Sequence, residues 1–67
     1  MTRPEMNRRL ATIPAETLRL THQAVLNGYG ASGLVNEFNV NRKQANAVFE
    51  WVERYGRVIP DDFGGAA

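Results

Sequence analysis

The stretch NRKQANAVFEWVERY, residues 41–55, constrains this chain more than any other. Asn41 and Gln44 stand three apart, the spacing of an N-cap and the N3 partner that bonds back to it. Ala45, Val48, Phe49 and Val52 then recur at i, i+3, i+4 and i+7, which is one apolar stripe of an amphipathic helix. A helix with such a stripe must be covered by other elements. Its front is the unusual part. Arg42, Lys43, Gln44 and Asn46 gather in the first turn and a half, whereas a plain surface helix spreads polar groups along its whole outer side.

The chain has 67 residues and no cysteine, so disulfides and a cysteine-based zinc site cannot make up for a small core. Hydrophobic residues at 43% suffice for a compact interior, which leaves helical packing, association with another subunit, or both. Residues 1–67 read as a single domain. No apolar run approaches the roughly 20 residues of a membrane span, and the start lacks the apolar core of a secretory signal. A cytoplasmic location, with no membrane partner, is expected. Net charge is only +1, but it is unevenly placed. Residues 1–43 carry Arg3, Arg8, Arg9, Arg19, Arg42 and Lys43 against Glu5, Glu16 and Glu37. Residues 44–67 carry Arg54 and Arg57 against Glu50, Glu53, Asp61 and Asp62. A chain polarised in this way has a basic end to offer a polyanion.

Three further helices are expected ahead of residue 41. Thr2 and Glu5 fit a capping box, with Pro4 early in the first turn, and Met6 and Leu10 share one face of a helix running to about Ala11. A second start follows at Pro14, with Glu16 near the positive helix end. Leu18, Val25, Leu26 and Tyr29 mark one apolar side of that helix, and Leu20 and Ala24 the other. Gly28 is a natural terminator. A short third helix at about 31–38 carries Leu34, Val35 and Phe38, and Asn39 interrupts it. The fourth helix should end near Tyr55, before Gly56. The segment RVIPDDF reads as short and extended, and GGAA as a tail. With no alternating strand pattern anywhere, the fold class is all-α: a small four-helix domain.

A short helix, a turn and a longer helix at 31–55 have the order of a helix-turn-helix. Leu34, Phe38, Val40, Ala45 and Val48 supply the apolar positions that hold such a pair at a steep angle. Val35 stands where alanine is usual, and Asn39 where glycine is. In that motif the second helix, about 42–55, enters the DNA major groove, leading with its N-terminal residues. Arg pairs bidentately with guanine, Asn or Gln pairs with adenine, and a small apolar side chain meets the thymine methyl. Asn41, Arg42, Lys43, Gln44, Asn46 and Ala47 are therefore the expected DNA-binding set. Arg3, Arg8, Arg9 and Arg54 are candidates for the DNA backbone.

The stretch VLNGYGASGLVNEFNVNRKQANAVFEWV resembles the DNA-binding motif of the TrfB/KorA family of plasmid transcriptional repressors. It shares an apolar-Asp/Asn-Gly opening, the short helix, and an apolar-Thr/Asn-Arg start to the longer one. MTRPEMNRRLATIPAETLRL is similar to the two preceding helices there, so the likeness covers about residues 2–55. The resemblance implies a homodimeric repressor that binds a palindromic operator in double-stranded DNA and controls plasmid or mobile-element genes in a bacterium. It carries Arg42 over as a base contact. The family's second base-reading position, a glutamine, falls on Ala47. Only RYGRVIPDDFGGAA stands where longer members have a dimerisation segment.

Trp51 lies off the apolar stripe, and Tyr55 and Val58 fall near it. Together they are candidates for a dimer interface, or for the docking surface of a protein-interaction module. The alternative is that the first helix covers Trp51 within the monomer. His22, on the apolar side of the second helix, reads as a packing residue. Asp61 and Asp62 have no partner acid, base or nucleophile. GYGASG follows a helix rather than a strand and lacks a following lysine, which argues against a phosphate loop. No enzyme, metal or cofactor is expected.

Overall fold

Thr2 opens the first helix by accepting the Glu5 backbone N–H on its Oγ1 (3.3 Å), and Pro4 sits in the first turn where its missing donor costs little. In the computed structural model, which describes residues 1–58, four helices follow in order. They are α1 Arg3–Leu10, α2 Ala15–Leu26, α3 Ala31–Glu37 and α4 Arg42–Tyr55, and no strand occurs among the described residues. The protein is an all-α, small helical domain. The extended segment and tail expected beyond Val58, with Asp61 and Asp62, lie outside the described residues.

The first capping box is only half made. The Glu5 carboxylate pairs with Arg9 one turn on (2.6 Å). Pro14 falls at the N-cap of α2, one residue before the first helical position, and its carbonyl accepts from Leu18 N at 2.8 Å. After the Asn27 C-cap the chain reverses through Gly28 at φ +109°, a conformation that L side chains avoid. Leu20 and Tyr29, expected to help bury α2 from two sides, are 48% and 39% exposed, so α2 is covered mainly along Leu18, Thr21, His22, Ala24 and Val25.

The last helix is the centre of the domain: α1, α2 and α3 each pack against it. Met6 and Leu10 of α1, Leu34 of α3 and Ala45, Ala47 and Val48 of α4 are wholly buried. Ile13, Leu18, Val25, Val40 and Trp51 complete the interior. The far end of α4 is tied to α2. His22 is 3% exposed, and its Nε2 lies 2.9 Å from the Gly56 carbonyl oxygen. A carbonyl only accepts, so Nε2 carries the proton and donates. The histidine is thus a packing residue with one specific bond, as its place on the apolar side implied.

Candidate nucleic-acid interface

Both halves of the α4 capping box form. Asn41 Oδ1 accepts from Gln44 N (2.8 Å), and Gln44 Oε1 accepts from Asn41 N (2.9 Å). The same glutamine then donates from Nε2 to Thr12 Oγ1 at 2.9 Å, and Thr12 Oγ1 donates to the Arg9 carbonyl at 2.6 Å. The start of α4 is thereby bolted to the end of α1. This bridge has no signature in sequence, because nothing in the spacing of Thr12 and Gln44 announces a bond across 32 positions. It also ties both ends of the Gln44 amide to the fold, leaving one N–H and one lone pair, so that Gln44 offers an adenine its full two-bond geometry only by giving up its bonds to Asn41 and Thr12. Asn41 keeps its amide donors, having committed only Oδ1.

The remaining polar residues of the front are differently placed. Arg42, Lys43 and Asn46 are exposed, and their side chains make no hydrogen bond or ion pair among the described residues. At about 100° per residue, Arg42, Asn46, Phe49 and Glu53 fall on one line down the outer side of α4, with Lys43 beside its first turn. The buried positions Ala47, Val48 and Trp51 occupy the opposite side, and buried Ala45 lies on the flank between.

Two expectations for α4 are corrected. Ala47, expected to touch a thymine methyl, is wholly buried and has no surface to offer a base. Phe49, expected on the core stripe, is 36% exposed. Both errors have one cause. The stripe through 45, 48, 49 and 52 assumes a partner on one side. With three helices around α4, the buried arc turns toward Ala47 and Trp51 and leaves Phe49 outside. The signal that finds Phe49 is its spacing of three from Asn46 and seven from Arg42.

The proposed interface group is corrected as well. Trp51 is 5% exposed, its Nε1 donates to the Val58 carbonyl (2.7 Å), and its ring lies 4.4 Å from that of Tyr55. Trp51 therefore belongs to the monomer core and is not a docking surface. Half-buried Tyr55 in turn carries the Arg3 guanidinium 5.2 Å from its ring centre. Only Val58 of the three stands open, at 61% exposure.

The flanking cations separate in the same way. Arg9 is held by Glu5, and Arg54 by Glu50 (2.5 Å) and the Met1 carbonyl (2.6 Å). Arg3 lies over Tyr55. Arg8 alone of the four is exposed without such a partner among the described residues. Through the Thr12 bridge, the last turn of α1 that bears Arg8 comes to the same end of the molecule as Arg42 and Lys43. No described helix is long and apolar enough to cross a membrane, and no described cluster of three His, Cys, Asp or Glu side chains gathers to hold a metal.

The chain matches no family model, no curated protein and no solved structure.

Proposed function

We propose that this chain binds double-stranded DNA in a sequence-dependent manner, with the first two turns of α4 in the major groove. The observation that carries the reading is the unpaired trio Arg42, Lys43 and Asn46, projecting from a helix whose other side is anchored in the core. Arg42 and Asn46 are one helical turn apart on the same line, and their side chains suit guanine and adenine respectively. Lys43 and Arg8 supply charge for the phosphates on either side. The order of α3, connection and α4, with Val40 buried between them, is compatible with a helix-turn-helix.

By its resemblance to the TrfB/KorA repressors, the chain acts as a homodimer on a two-fold symmetric operator and represses plasmid or mobile-element genes in the bacterial cytoplasm. Fluorescence anisotropy with a mixed pool of duplexes, read at two salt concentrations, tests the first step. Binding should weaken steeply as salt rises, since each neutralised phosphate releases counterions. Salt-insensitive binding, or none, would overturn the reading. Selection of bound duplexes from a random pool then tests symmetry: a two-fold consensus is expected, and a single unrepeated half-site would reject the homodimer.

A further inference from the structure

We infer that Phe49 is a specificity residue of this interface, reading the 5-methyl group of a thymine two to three base pairs from the pair met by Arg42; this rests on the DNA-binding reading above. A phenylalanine 36% exposed on a domain this small is unfavourable in water, and it lies in line with Arg42 and Asn46, whose side chains have no partner among the described residues. The rise from Arg42 to Phe49 is about 10.5 Å, or about three base-pair steps of ~3.4 Å. Asn46 falls between them. The line therefore presents a guanine reader, an adenine reader and an apolar reader in order, and a phenylalanine face is a known complement of the thymine methyl.

The next residue on the line sets the limit of contact. Glu53 is exposed and acidic, and a helix lying flat along the groove would press it against phosphate. A helix tilted so that its N-terminal end sits deepest keeps Glu53 out, shortens the reach from Arg42 to Phe49 along the groove to about two to three base-pair steps, and makes Phe49 the last residue to touch a base. Charge complementarity selects the occupant: Arg42 and Lys43 lead the face and are free of partners among the described residues. A second copy of the chain, presenting the same cations, would meet them with like charge.

The test uses duplexes enriched by the wild-type protein from a random pool. Each thymine is replaced in turn by deoxyuridine, which removes one methyl group and leaves the protein untouched. One position per half-site should lose about fourfold in affinity. That position should lie beside the adenine whose preference disappears in Asn46→Ala. Phe49→Ala should lose a similar factor on the all-thymine duplex and become indifferent to the substitution. A duplex set in which no thymine is sensitive, or in which Phe49→Ala keeps the same sensitivity, overturns the inference while DNA binding stands. Failure to enrich any sequence overturns both. Conversion of a sedimenting dimer to monomer by Phe49→Ala assigns the ring to contact between copies and also rejects it.

Discussion

Gln44 illustrates how one side chain can be read in two ways from its type. An amide on the leading turn of a groove-entering helix suits adenine, yet here its oxygen closes the α4 cap and its nitrogen holds Thr12. The two roles have different signatures. Gln44→Ala removes both bonds and should lower stability by about 1–2 kcal/mol. Gln44→Glu keeps the acceptor for Asn41 N and adds negative charge near the helix N-terminus, so most of that loss should be recovered. Thermal or urea unfolding of the two variants distinguishes them, and equal losses would show that the Thr12 bond, not the cap, dominates. Arg42 is the contrasting case, since no intramolecular bond is lost when it is removed. Arg42→Ala should leave the unfolding transition in place and cost ~1–3 kcal/mol in binding to a selected duplex, with relaxed preference at one base pair. Unchanged preference in a repeated selection would take Arg42 out of the base-reading set.

At the scale of helices, boundaries were more readable than faces. Asn41, Gln44, Gly28 and Gly56 act through their own backbone or that of near neighbours, so their signals are local and all of them mark the ends of α2 and α4 as expected. Which side of α4 is buried depends on how many helices surround it, a non-local fact, and the stripe alone misplaced Phe49 and Ala47. Trp51 shows the consequence. Off the stripe it read either as a surface anchor or as a residue covered within the monomer; it is interior, and its indole N–H is satisfied by Val58. Trp51→Ala should cost about 3–5 kcal/mol, comparable with the whole stability of a domain this small. Circular dichroism should then find the variant largely unfolded. A retained melt with loss only of self-association would return Trp51 to an interface. Gly56 ends the same helix at φ +62° and ψ −122°, with open space where a Cβ would stand. Gly56→Ala therefore meets backbone strain rather than a clash. A loss of about 1–3 kcal/mol is expected in the same unfolding assay, at the end of α4 remote from Arg42.

If the chain reads DNA as proposed, the size of the whole molecule sets how much one copy can cover. The Cα trace of the described residues spans 27 × 21 × 19 Å, shorter in every direction than the ~34 Å between major-groove faces one helical turn apart. Under the proposed reading one copy engages one half-site, and a two-fold operator would take two copies. Electrostatics then separates Arg8, Arg42 and Lys43 from Arg9 and Arg54, a division that the i,i+4 spacing of Glu5–Arg9 and Glu50–Arg54 allows. Arg8, Arg42 and Lys43 have no acid to neutralise them among the described residues, whereas Arg9 and Arg54 are held by Glu5 and Glu50. Each phosphate contact contributes about −0.9 to the slope of log affinity against log salt. Arg8→Ala and Lys43→Ala should each reduce the magnitude of that slope by about one per copy bound, with little change in sequence preference. Arg9→Ala and Arg54→Ala should leave it nearly unaltered, because a guanidinium held by a carboxylate neutralises no phosphate and so displaces no counterion from the duplex. A slope that falls equally for all four would mean that the duplex pulls both arginines from their carboxylates. The basic surface that meets DNA would then be assembled on binding rather than laid out by the fold.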